Sequence, residues 1–203
     1  MDYPSEREAY LILGRYPLPK PIFDHSLEVA RNCEIIGSQI QDAGSDIDVE
    51  LLRIGGLLHD IGRWKYNPEN GFSPERDFHE YETGRLLDEL GYLSFADVVR
   101  RHPLGGLTVQ ESSVLGYPGP VDLMPILFGS KVICIADKIR PSIGIVSLAD
   151  KVADYKSNPR LHKRYFSKMP GLLERTIERV SLIWHGLESL GMDLSIYKCG
   201  KER

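Results

Sequence analysis

His59 and Asp60 stand side by side at the end of an apolar run, Leu51-Leu52-Arg53-Ile54-Gly55-Gly56-Leu57-Leu58. An unpaired buried carboxylate is costly, so the pair needs partners. One reading supplies a His–Asp hydrogen bond and an ion pair from Arg63. The other supplies a divalent transition ion, to which adjacent imidazole and carboxylate ligands are suited. The pair alone leaves both open. His25, His79, His102 and Asp137 interrupt apolar or helix-terminal positions in the same way. Singly, each has a bland explanation. His25 and His79 fit near-cap positions, a charged His102 fits a helix C-terminus, and Asp137 can pair with Arg140. Together, four of the six histidines and two carboxylates fall where solvent is scarce or helices end.

These residues need helices to hold them. The run at 50–61 is apolar on most sides, so its helix belongs deep in a core. Gly55 and Gly56 each cost that helix about 1 kcal/mol relative to Ala, which close packing against another helix would justify. Gly62 is placed to end it. Upstream, a helix is expected over 5–14 with Ser5 as N-cap. Pro17, Pro19 and Pro21 then form an extended connector. A helix follows from Ile22 to Ala43, with Leu27, Ala30, Ile35 and Ile36 on its apolar side, and a turn at 45–48. Residues 66–78 read as a loop. Helices follow at 79–90 and from a Ser94 cap to Arg101 or His102. A Gly- and Pro-rich stretch spans 103–124, with a short helix at 108–115. Pro125 opens a helix to Ile139 that carries Ile126, Leu127, Val132, Ile133, Ile135 and Ala136. Two helices at 145–156 and 159–168 precede an amphipathic one at 171–190, striped by Leu172, Leu173, Ile177, Val180, Ile183, Trp184, Leu187 and Leu190. The last dozen residues read as polar and loose. No strand-period alternation, repeat or low-complexity tract stands out. The class is all-α.

A chain of 203 residues supports one domain with a sizeable core and a helical extension. A net charge of −4 argues against an extended nucleic-acid surface. Cys33, Cys134 and Cys199 are scattered, which fits neither a disulfide framework nor a zinc knuckle. No apolar run reaches the roughly 18 residues of a membrane span. With no signal-peptide pattern at the start, a cytoplasmic protein is expected.

His25, then His59-Asp60, then Asp137 in Ile-Ala-Asp-Lys resembles the HD-domain superfamily of metal-dependent phosphohydrolases, and Leu-Leu-His-Asp-Ile-Gly-Arg matches its HDIG form. Val49 to Arg63, Arg-Arg-His at 100–102 with Gly105-Gly106, and Lys131 to Ile139 are similar to small archaeal HDIG proteins. The resemblance covers about residues 22–140. It implies a bundle of five or more helices around a metal, preceded by an N-terminal helix and Pro-rich connector (1–21) and followed by a C-terminal helical extension (141–203). It implies His25, His59, Asp60 and Asp137 as ligands of a first ion. His79 and His102 match the extra histidines of binuclear members, in which Asp60 bridges. His162 and His185 lie outside the match, and His185 reads as structural or surface. Mn, Fe, Ni, Co and Zn all suit such mixed N/O ligation.

The resemblance further implies hydrolysis of a phosphate ester, in a nucleotide or another small phosphorylated metabolite, by metal-bound hydroxide. Phosphate needs cations, and Arg63 and Lys65 leave the metal end of the organising helix. They are the expected substrate-side groups. Their alternative is as solvated helix-end charges, or, for Arg63, as the partner of Glu80 or Glu82. Lys138 and Arg140 read as surface or outer-layer residues. Asp137-Lys138-Ile139-Arg140 departs from the Asp-Tyr-Ile-Glu of better-known relatives. The rival functions are a metal-binding sensor or regulatory module, and an HD-type di-iron oxygenase. The natural substrate, the number of ions and the oligomeric state stay open.

Overall fold

A computed structural model describes residues 2–66 and 78–197. Helix α1 (Glu6–Arg15) starts at Ser5, whose hydroxyl and Glu8 form a reciprocal capping box. Helix α2 (Lys20–Asp42) is followed by α3 (Val49–Leu58), which Asp48 caps through the Leu51 amide. A 3₁₀ segment (Ile61–Tyr66) leads out of α3. Then come α4 (His79–Glu89), α5 (Leu93–Val99), a 3₁₀ turn (Pro103–Gly105), α6 (Val109–Leu115) and α7 (Phe128–Lys138). The C-terminal part holds α8 (Leu148–Ser157), the short α9 (Pro159–Leu161) running into a π-turn (His162–Phe166), α10 (Leu172–Glu188) and a 3₁₀ turn (Ser195–Tyr197). Among the described residues there is no strand, and no helix is long and apolar enough to cross a membrane.

The core is built on α2, α3 and α7, which pack on one another, with α5 against α3 and α7. Leu57, Leu58, Val29, Ile133 and Ile135 are all essentially without solvent contact. Each such side chain contributes about 1.5–3 kcal/mol relative to exposure. The two glycines of α3 do serve close packing. A Cβ on Gly56 would stand 2.9 Å from the Ala30 Cα of α2, and one on Gly55 would meet the Ile133 side chain at 2.5 Å. Helix α10 packs on α7, α8 and the Pro103–Gly105 turn. Cys33 and Cys134 are buried free thiols.

Several boundaries differ from the sequence reading. Pro21 belongs not to an extended connector but to the first turn of α2, where its missing N–H costs nothing. Pro125 lies outside α7, which starts at Phe128, and Ile126 is exposed. Tyr92, not Ser94, occupies the N-cap of α5. That helix stops at Val99, short of His102. Leu27 and Leu190, expected on apolar faces, are exposed. The second C-terminal helix is a single α-turn continued as a π-turn. Residues 192–197 are docked rather than loose: Met192 and Leu194 are buried, and Tyr197 donates to Asn32 Oδ1 at 2.6 Å. The loop expected at 66–78 falls almost entirely outside the described residues, as do 198–203.

Candidate metal centre

His59 is the C-cap of α3, so the buried helix delivers it and Asp60 into the interior. Its Nδ1 donates to the Gly56 carbonyl at 2.8 Å, which fixes the tautomer and leaves the Nε2 lone pair facing inward. His102 repeats this arrangement, with Nδ1 on the Val99 carbonyl at 2.9 Å. His25 comes from the first turns of α2, and its Nε2 lies 3.0 Å from Asp137 Oδ1. Asp137 is the penultimate residue of α7. Asn32, seven residues after His25 on α2, donates to the carbonyls of Ala136 and Ile139 and pins the end of α7 that bears Asp137.

Asp60 lies at the middle. Its Oδ2 faces His59 Nε2 at 3.6 Å, while its Oδ1 faces His79 Nε2 at 3.0 Å and His102 Nε2 at 3.8 Å. His79 is the first residue of α4. It reaches the centre because α4 lies backbone to backbone against the 3₁₀ segment. A Cβ on Gly62 would stand 2.3 Å from the His79 carbonyl and 2.5 Å from the Thr83 amide. Gly62 is therefore a contact glycine, not the end of α3. The Thr83 hydroxyl stitches the junction, accepting from the Gly62 amide at 3.0 Å and donating to the His59 carbonyl at 2.9 Å. Beyond His102, Leu104 sits at φ 52, a left-handed conformation costly for a branched residue.

The six sequence-singled residues are thus brought together. His59 Nε2 and Asp60 Oδ1 are buried with no hydrogen bond, the latter despite the nearby His79 nitrogen. Three overlapping sets of donors lie within ion-binding reach: His25, His59 and Asp137; His59, Asp60 and His102; and His79, Glu80 and His102. Orphaned buried lone pairs of nitrogen and oxygen, converging with fixed tautomers, fit a divalent metal. Burial pushes His102 well below its ordinary value, with the neighbouring His59 adding to the effect, so it is a neutral donor and not a charged helix cap. Burial raises the Asp60 carboxyl, but Arg63 and His59 outweigh it and hold Asp60 ionised. At Asp137, Lys138 and the histidines likewise overcome burial.

The cations differ in their placement. Arg63 Nε donates to Asp60 Oδ2 at 2.7 Å and its Nη2 to His79 Nε2 at 3.0 Å, so its guanidinium lies along the centre. Lys65 Nζ pairs with Glu82 Oε2 at 2.6 Å. Of its two readings, surface or outer layer, Lys138 takes the second. It is buried, with Nζ 2.6 Å from Asp137 Oδ2 and 2.8 Å from the His102 carbonyl. It, rather than Arg140, neutralises Asp137, and it leaves Asp137 Oδ1 turned toward His25 and His59. His185 is exposed, and His162 Nε2 reaches the Lys156 carbonyl at 3.1 Å. Sequence reasoning missed Asn32 and did not place Glu80 in the centre. An Asn one heptad after His25, within an otherwise apolar face, was the available signal for the first. The adjacency of Glu80 to His79 was the signal for the second. A separate cleft of about 280 Å³ between Val146–Ala149 and the end of α10 lies among other residues altogether.

A family model covers the part of the chain that carries this centre. The family model described as "HD domain" matches residues 22–142. The chain belongs to the HD-domain family, and with it to the class of metal-dependent phosphohydrolases. An uncharacterized protein of Methanocaldococcus jannaschii, MJ0778, is 32% identical over 145 residues, which is 71% of this chain and 79% of that one. Two solved structures of the HD domain of the L. monocytogenes phosphodiesterase PgpH are similar at 16% identity and a TM-score of 0.45. The one in complex with cyclic-di-AMP is matched over 88% of this chain and 95% of that one, the other over 89% and 98%.

Proposed function

We propose that this protein hydrolyses a phosphate ester, of a nucleotide or another small phosphorylated metabolite, at a centre of two divalent transition ions. His25, His59, Asp60 and Asp137 would hold the first ion, and His79 and His102 the second, with Asp60 able to serve both. The observation that carries this reading is the split of Asp60, whose two oxygens face different histidine groups. When bound, such ions supply an activated water at neutral pH and offset charge on the phosphoryl group. Asp60 and Asp137 stay ionised and His102 stays neutral, so each presents a lone pair without first losing a proton. Arg63 shares the Asp60 and His79 lone pairs in this structure. With those lone pairs on a metal, its planar fork would be able to grip two phosphate oxygens, a grip that suits phosphate better than a point charge. Lys65, one residue beyond Trp64 and half-buried against Glu82, adds positive charge on the substrate side. Residues 22–140 are read as the metal-bearing part and 141–203 as a C-terminal extension, whose described helix α10 packs on α7.

The test is a panel of phosphomonoesters, phosphodiesters and pyrophosphates, assayed with chelated protein reloaded with Mn, Co, Ni, Fe or Mg. Hydrolysis restored by a transition ion is the expected result. Full metal uptake with no hydrolysis across the panel would overturn it. Oxygen consumption by the iron-loaded protein would then point to an oxygenase, and its absence to a regulatory module.

A further inference from the structure

Glu80 is 1% exposed and neighbours His79, yet nothing in the two-ion reading uses it. Its Oε1 lies 3.2 Å from His79 Nε2. Its Oε2 accepts from the Tyr117 hydroxyl at 3.2 Å, and the Tyr165 hydroxyl stands 3.5 Å from Oε1. Phenols are neutral donors. Arg164 Nη2 forms an ion pair with Oε1 at 3.6 Å, too long for a hydrogen bond. A carboxylate so deeply buried has room for a closer positive charge beside that long pair.

We propose that Glu80 is a ligand of the second ion, which it closes together with His79, His102 and Asp60. This deepens the two-ion reading and rests on it. Around His79 Nε2, the donors lie at 3.0 Å (Asp60 Oδ1), 3.2 Å (Glu80 Oε1) and 3.4 Å (His102 Nε2). Bonds of about 2.1 Å from a single ion place neighbouring donors roughly 3.0–3.4 Å apart. The three separations match that spacing with no movement of the backbone. Asp60 Oδ1 and His102 Nε2, at 3.8 Å, need only a small side-chain adjustment. Each ion then has two imidazoles and two carboxylate oxygens. Three carboxylates balance most of the four positive charges that two divalent ions bring. Tyr117, donating to Oε2, leaves Oε1 for the ion and is the outer support that metal ligands commonly have. Tyr165 and Arg164 belong to the π-turn at 162–166, outside the residues matched by the family model. The C-terminal part of the chain thereby gains a role, holding the Glu80 carboxylate against the centre.

The test is calorimetric titration of the chelated full-length protein with Mn(II), and with Co(II) followed by visible absorption. Wild type should take up two ions. Glu80→Gln keeps the shape and removes the charge, and should weaken the second ion on the order of 100-fold while leaving the first unchanged. The Co(II) absorption of the second step should change shape. Tyr117→Phe keeps the carboxylate and removes its outer donor. It should weaken the same ion by about 10-fold, and it carries the test if Glu80→Gln does not fold. Two ions bound by Glu80→Gln, or by Tyr117→Phe in its place, with unchanged affinities and spectra would overturn the assignment of Glu80 alone. One ion bound by wild type would overturn the two-ion reading, and this assignment with it.

Discussion

The two ends of the metal centre are built differently. At one end His25, His59 and Asp137 come from α2, α3 and α7, the three helices of the core. Those helices are locked together by the contact of Gly56 on Ala30 and by Asn32 on the end of α7. At the other end His79 is the first residue of a helix and His102 lies in a turn after one, next to a strained Leu104. Glu80 there leans on Tyr117 and on the C-terminal π-turn. Regular helix packing fixes the first end. The second depends on junctions, where few backbone hydrogen bonds oppose small displacements. Asp60 belongs to both, one oxygen to each.

The sharpest way to break this comparison is to remove the shared residue. Asp60→Ala should abolish metal uptake and hydrolysis together, because it takes a donor from each end and removes the carboxylate oxygen that Arg63 Nε contacts. Elemental analysis of the reconstituted variant and the phosphatase panel measure this. Stoichiometric metal retained by Asp60→Ala would remove Asp60 from the ligand set.

The first end was more legible in the sequence than the second, for a physical reason. His25, His59 and Asp137 lie within or at the end of the apolar helices α2, α3 and α7, where a polar residue is conspicuous and the helical period tells which side it faces. The α3 glycines likewise announced close packing. At the second end the informative contacts join segments distant in sequence: Gly62 with His79 and Thr83, Glu80 with Tyr117 and Tyr165. Local pattern carries no signal for such contacts. Glu80 also reads as an ordinary first-turn acid, a position helices favour anyway. Lys138 was left between surface and outer layer, because lysines at helix C-termini are usually solvated. Its burial follows from the pairing with Asp137, which spacing alone does not reveal. The boundary errors at Pro21 and Pro125 share one cause: proline is compatible with both a first turn and an extended lead-in.

Arg63 spans the two ends, so its replacement tests whether they act on one substrate. Lys keeps the charge but loses the fork that reaches Asp60 and His79 together. Arg63→Lys should cut hydrolysis by roughly 10- to 100-fold, about 1.4–2.8 kcal/mol in barrier, with metal content and melting temperature nearly unchanged. If Arg63 instead merely ties the 3₁₀ segment to α4, the melting temperature should fall and activity only in proportion. Unchanged turnover at saturating metal would take Arg63 out of the active site.

The smallest expected effect concerns what holds the second end from outside. Glu111 on α6 accepts from Arg175 Nε at 2.8 Å and from Arg179 Nη1 and Nη2 at 2.7 and 3.0 Å, and Arg179 also donates to the Gly106 carbonyl at 3.0 Å. This clamp fastens the turn after His102 to α10. Burial raises the Glu111 carboxyl, but the hydrogen bonds from Arg179, the Thr108 amide and Arg175 outweigh it and bring it from 4.5 down to about 2. A carboxyl lowered on folding stabilises the folded state fully above its unfolded value. That contribution is lost as pH falls from about 4.5 toward 2. Arg175 is partly exposed, so the clamp is screened and contributes about 1–2 kcal/mol. Glu111→Gln lacks the titrating group. Its stability deficit against wild type should be largest at pH 5 and narrow by about 1 kcal/mol by pH 3, where roughly half of the contribution is lost. Denaturant unfolding of the chelated proteins measures this without interference from metal release. In wild type over the same range, amide exchange at 104–107 should quicken before that of α3, since only the second end hangs on the clamp. A deficit independent of pH, or α3 opening first, would show that the two ends are equally fastened.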